Sequence, residues 1–147
     1  EAGSPVVDRA ALGNIKKMIE GTLAGIINPS DYLRASSGFL SRSRFFKVNP
    51  RILLDNTASH VYTVIEVNAR DRRGLLFDVT RVITSCGLTI ANARVATYGE
   101  SAVDVFYVKD IFGLKITHNE KLKNIRSELL SAIRELAPSE VPESNTK

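Results

Sequence analysis

From residue 51 onward the apolar residues switch between a period of two and a period of three to four. The resulting order is strand, strand, helix, strand, strand, helix. Arg51 to Leu54 reads as a short strand, and Asp55-Asn56-Thr57-Ala58-Ser59 as a turn whose small polar side chains bond their own backbone. Tyr62 to Asn68 reads as a strand rich in β-formers, with Thr63, Ile65 and Val67 on one face. Past the loop Asp71-Arg72-Arg73-Gly74, a helix sets Leu75, Val79, Val82, Ile83 and Cys86 on one side and ends at Gly87. Leu88 to Thr97 is the next strand. Its apolar register shifts between Leu88/Ile90 and Ala93/Val95, which predicts a bulge near Ala91-Asn92. A turn over 98–101 leads into the strand Ala102 to Lys109. Thr117-His118-Asn119-Glu120 matches a capping box. The helix behind it carries Leu122, Ile125, Leu129, Ile133 and Leu136, and Pro138 closes it.

This order predicts an α+β fold of the ferredoxin-like kind, an antiparallel sheet with both helices on one face. The strand from Ala102 adds a second constraint. Val103, Val105 and Tyr107 lie on one face, Phe106 and Val108 on the other, and a strand apolar on both faces is covered on both sides. The helices cover one face. A partner domain or another copy is expected over the other.

The first third of the chain is different. Leu12, Ile15, Ile19, Leu23 and Ile26 share one helical face, predicting a helix over 6–28 that starts near Asp8 and stops at Asn28-Pro29. A second short helix is expected over 30–38. Residues 36–46, rich in Ser and Arg with Phe39, Phe45 and Phe46 interleaved, read as a connector. The chain therefore divides into a helical linker over 1–45, a folded domain over 46–137 and a loose tail over 138–147.

Composition narrows the function by exclusion. At 147 residues, with 44% hydrophobic and 24% charged residues, the chain has the make-up of a folded domain. No stretch approaches the ~20 apolar residues of a membrane span. No secretory signal is visible at its start, and Cys86 is the only cysteine, so a cytoplasmic setting without disulfides is expected. Cys86 reads as a small buried hydrophobe rather than a reactive thiol. His60 and His118 are far apart, and no Walker loop, GxSxG elbow or helical His pair occurs. Asp104 and Asp110 bracket a strand end, a pattern too sparse for a metal site. Asp71 and Asp78 flank a helix start, where the helix dipole favours acids. No catalysis and no cofactor is expected of this segment.

One turn has binding character. Gly74 lets backbone approach a ligand closely, and the amides that follow it can hold an anion such as a carboxylate. A plain strand-to-helix turn would look the same.

These residues carry a resemblance. Thr63-Val64-Ile65-Glu66-Val67, then Asp71-Arg72-x-Gly74-Leu75-Leu76-x-Asp78-Val79-Thr80-Arg81, then Gly87-Leu88-Thr89-Ile90 resemble an ACT domain. The stretch from Ala96-Thr97-Tyr98-Gly99-Glu100 through Asp104-Val105-Phe106-Tyr107-Val108-Lys109-Asp110 to Ile116 is similar to the C-terminal ACT domain of the bifunctional uridylyltransferase/uridylyl-removing family. The resemblance runs from about Arg51 to Leu136. It implies a non-catalytic regulatory module that senses glutamine or a similar amino acid. The parent enzyme would be magnesium-dependent and would modify the PII signal protein in bacterial nitrogen regulation. It also implies a second ACT domain as partner, in the same chain or in a homodimer, and neither nucleic acid nor membrane. By position the ligand would meet Asp71, Arg73, Gly74, Leu75, Leu76 and Asn92. The amides of Leu75 and Leu76 would take its carboxylate, Asp71 its ammonium group and Asn92 a side-chain amide. Arg73 stands where ACT domains often carry proline, which leaves the loop freer and adds a charge that can meet a carboxylate.

Two other readings compete. A dimerisation or docking domain without a ligand would show the same apolar sheet face. An RNA-binding module would use aromatics on that face together with Arg34, Arg42, Arg44, Lys47 and Arg51, a basic run without an acid. Against it, Phe106 and Tyr107 point to opposite faces and the strand carries Asp104.

Overall fold

The computed structural model describes residues 8–31 and 48–135. The chain divides into two compact units, Glu1–Ser41 and Arg42–Lys147. The expected helix over 30–38, the connector over 36–46, Leu136, Pro138 and the tail over 138–147 lie largely or wholly outside the described residues.

In the first unit α1 spans Arg9–Leu23. The Asp8 carboxylate caps it, accepting the Ala10 N–H at 2.9 Å. The helix ends before the expected Asn28-Pro29. The physical reason is Gly25, at φ 72°. There the Gly25 N–H bonds the Thr22 carbonyl and the Ile26 N–H reaches back to the Gly21 carbonyl, the paired bonds of a Schellman stop. Asn28 then accepts the Ser30 N–H and starts a new helical turn with Pro29 in its first position.

The second unit holds β1 (Arg51–Asp55), β2 (Thr63–Arg70), α2 (Leu75–Ser85), β3 (Leu88–Tyr98), β4 (Ser101–Asp110) and α3 (Asn119–Glu135). The four strands form one sheet in the order β1-β2-β4-β3, antiparallel throughout. Both helices pack on the same face, which is the ferredoxin-like arrangement expected from the element order.

Register follows from side-chain alternation. Ile65 pairs with Phe106 and Val67 with Asp104 in the centre of the sheet. Ile65, Val67, Phe106 and Val108 are fully buried beneath Leu75, Val79 and Ile83 of α2 and Ile125, Leu129 and Ile133 of α3. The alternate residues Val103, Val105 and Tyr107 line the open face and are half-buried, while Val64 beside them is buried. The expected bulge lies where the β3 register shifts, between Ile90 and Asn92.

The turns are fastened by side chains. Asp55 accepts the N–H groups of Thr57 and Ala58 and the Thr57 hydroxyl, bonds that hold its carboxyl below the usual range. Asn56 donates to the Ile116 carbonyl at 2.8 Å and accepts the Thr63 hydroxyl at 2.7 Å. Thr63 in turn accepts the Ile116 N–H at 3.0 Å. The Lys115 ammonium donates to the Asn56 and Ser59 carbonyls. This network closes the β1–β2 turn against the approach to α3. The capping box places the start of α3 at Thr117, but its first bond runs from the Leu122 N–H to the His118 carbonyl, one residue later.

Phe106→Ala removes a fully buried aromatic ring at the crossing of sheet and helices. The expected loss is about 3–5 kcal/mol of unfolding free energy, read from urea denaturation. A loss below about 1 kcal/mol would show that the ring is not the packing centre.

Candidate ligand-binding site

The loop between β2 and α2 is anchored at its root. The Asp71 N–H donates to the Glu100 carbonyl at 2.7 Å, and the Arg70 guanidinium lies 3.4 Å from the Glu100 carboxylate. Both contacts tie the loop to the β3–β4 turn. The chain then reverses through Gly74, at φ 80°, a conformation costing other residues about 1–2 kcal/mol. The first helical bond runs from the Asp78 N–H to the Gly74 carbonyl at 2.9 Å. Gly74 contributes no side-chain cap, so the amides of Leu76 and Phe77 stand at an open helix start, where an anion is stabilised.

Arg72 and Asp78 form the electrostatic frame of this start. Their charged groups are 2.8 Å apart and largely shielded from solvent, and Arg72 also donates to the Arg73 carbonyl at 3.2 Å. The Asp78 charge is thereby neutralised near the helix end that attracts anions. Asp71, Arg73 and Leu76 are exposed around the same opening.

Two sequence-derived residues have other positions than expected. The Leu75 N–H is bonded to the Arg72 carbonyl at 3.2 Å and its side chain is buried in the core, so its amide is not open to a carboxylate as Leu76 is. Asn92 pairs with Tyr107, six positions along β4 from Ser101, which pairs with Arg70 at the loop. At about 3.3 Å per residue that is roughly 20 Å, and Asn92 shares the open face with Tyr107. One chain therefore brings Asp71, Arg73, Gly74 and Leu76 together but leaves Asn92 apart.

A further residue was not singled out as a ligand group by its sequence. Asp104 is 2% exposed, on the helix-covered face between Val67 and Val95. Its Oδ1 has no hydrogen-bond partner. Burial pushes its carboxyl above the usual range, the Ala96 N–H opposes that shift, and the charge of Asp71 adds to it. The alternation Ala102, Asp104, Phe106, Val108 carried the signal, because it points a carboxylate inward. Its supposed companion Asp110 is spent elsewhere. It accepts the N–H groups of Phe112 and Leu114, both at 2.9 Å, and closes the turn after β4. Among the described residues no group of three or more His, Cys, Asp or Glu could hold a metal ion. Cys86 packs against the core, and burial raises its thiol pKa, as expected of a structural cysteine. No helix among the described residues is long and apolar enough to cross a membrane.

The family comparison agrees with the fold. The family model described as ACR9-like, ACT-like domain matches residues 51–138. A bifunctional uridylyltransferase/uridylyl-removing enzyme of Azospirillum brasilense is 52% identical over 123 residues, covering 83% of this chain and 13% of that protein. The protein of the same name from Rhodospirillum rubrum is 42% identical over 142 residues, 96% of this chain and 15% of its own length. A third, from Ruegeria pomeroyi, is 42% identical over 128 residues, 87% and 14% respectively. The chain thus spans about one seventh of the length of these relatives. No solved structure gives a significant match.

Two outcomes test the site's construction. Gly74→Ala forces an L side chain into the left-handed region and lowers stability by about 1–2 kcal/mol in urea unfolding; an unchanged midpoint contradicts the geometry. Asp104 titrates higher folded than unfolded, so its cost is absent at low pH. The cost grows as pH rises from the ordinary aspartate range through the raised folded value. Asp104→Asn therefore melts a few degrees higher than the parent at pH 7, and the difference closes near pH 3. A variant that melts lower at pH 7 would contradict this.

Proposed function

We propose, from the premise that this chain belongs to the ACT-like domain family, that it is the regulatory amino-acid-sensing module of a longer uridylyltransferase/uridylyl-removing enzyme. The ligand is glutamine or a close relative. Its carboxylate lies on the Leu76 and Phe77 amides at the start of α2, with Arg73 at the rim and Asp71 near its ammonium group. Gly74 admits the ligand to the backbone. The observation that carries this reading is the open helix start, built without a side-chain cap and with its neighbouring acid already paired to Arg72.

The segment itself is non-catalytic and needs no cofactor. Uridylyl transfer to and removal from the PII signal protein, with any magnesium it requires, belong to other parts of the longer cytoplasmic protein. Sensing then acts through a coupling free energy. Ligand occupancy favours one arrangement of the packed domains over another and shifts the balance of the distant activities. A second ACT unit fits this scheme. Asn92 reaches a ligand at the loop only from such a unit, and the half-buried open face with Val103, Val105 and Tyr107 offers it a surface.

Isothermal titration of this chain with glutamine, against glutamate and asparagine, tests the reading. Selective binding of glutamine is expected, weakened several-fold by Asp71→Ala or Arg73→Ala. Absence of binding by all three amino acids, both to this chain and to the longer chain that carries a second ACT unit, overturns it and favours a docking domain without a ligand.

A further inference from the structure

The layout of the open sheet face follows from the register. β4 crosses it as an apolar stripe of Val103, Val105 and Tyr107, all half-buried. In the middle row Val105 stands between Glu66 on β2 and Arg94 on β3. The rows beside Val103 and Tyr107 carry neutral residues on both of these strands. One acid and one base therefore flank the centre of the stripe, on opposite sides. Glu66 is half-buried and Arg94 exposed, and neither forms an ion pair among the described residues. The other charge on the open face of β4, Lys109, is drawn aside over the Tyr62 ring, its ammonium 5.0 Å from the centroid.

An apolar stripe of this kind is covered by its own copy when a two-fold axis lies in the plane between the two faces. With the axis across the strands at Val105, Glu66 lies over Glu66 of the copy and Arg94 over Arg94, so like charges meet. With the axis along β4, stripe lies over stripe and the β2 column lies over the β3 column of the copy. Glu66 then meets Arg94 of the copy and Arg94 meets its Glu66, two opposite-charge contacts from one pair of residues. The usual rotation of about 30° between packed sheets displaces the middle row least, because that row lies at the centre. The charge pattern thus selects one of the two axes.

We infer that two copies of this chain pack through their open sheet faces about a two-fold axis along β4, with Glu66 of each paired to Arg94 of the other. The inference goes beyond the amino-acid-sensing reading and does not depend on it. The pair sets Asn92 over Val64 of the copy, which gives Asn92 a place in the interface instead of at a ligand, and leaves the Asp71 loop free at the end of the sheet. Three overlapping strands about 4.8 Å apart, followed from Ser101 to Lys109 at about 3.3 Å per residue, give a face of roughly 15 by 25 Å. That is small for a specific interface, so the dimer is reversible and depends on concentration.

Sedimentation equilibrium of this chain over a concentration series tests the inference, with a monomer–dimer equilibrium expected. Glu66→Arg and Arg94→Glu each place like charges across the interface twice and are expected to weaken the dimer by about tenfold or more. An equal mixture of the two variants is expected to recover the dimer, because each arginine of the first then meets a glutamate of the second. A parent chain that stays monomeric to millimolar concentration overturns the inference. So does a dimer that neither variant weakens, since it uses another surface. A mixture that associates no more tightly than its components overturns the axis along β4, and the inference with it.

Discussion

The antiparallel pairing of β2 with β4 is the constraint on which the rest of this domain depends. It sets Ile65 against Phe106 and Val67 against Asp104, and so decides which side chains face the helices. A slip of β4 by one residue would turn Lys109 inward and expose Phe106. Everything else is arranged around this pair. α2 and α3 cover its inner face, β1 and β3 extend it on either side, and the network of Asn56, Thr63, Lys115 and Ile116 fastens one end. The same register that buries Phe106 also buries Asp104. The fold and its least comfortable side chain have a single cause.

The opposite end of the pair carries the candidate site. β2 ends at Arg70 opposite Ser101, and the loop rooted there by Glu100 turns through Gly74 into an uncapped helix. Uncapped amides, an exposed arginine and a buried acid are thus supplied by one scaffold. The match to the ACT-like family covers the same stretch of chain.

Most of the fold was legible because its signals are local. The order of strands and helices, the inward faces of α2 and α3 and the bulge before Asn92 all follow from spacing. What escaped depended on distant partners or on alternation across an irregularity. Gly25 reads locally as a residue that weakens a helix, yet in the structure it ends α1 through bonds to Gly21 and Thr22. The Asn56–Ile116 bond joins residues 60 apart, and nothing in either neighbourhood announces it. The bulge was visible, but it resets the alternation, so the face on which Asn92 lies was not. Asp104 was open to the alternation rule and was read instead with Asp110 as a sparse acidic pair. Only the burial of one and the turn-closing bonds of the other separate them.

The most direct measurement is the titration of the Asp104 side-chain carboxyl by carbon-13 NMR. The account predicts a pKa above the usual aspartate range, because the β2–β4 register buries this carboxyl. A value within or below that range would contradict the central claim that this register sets which side chains face the helices.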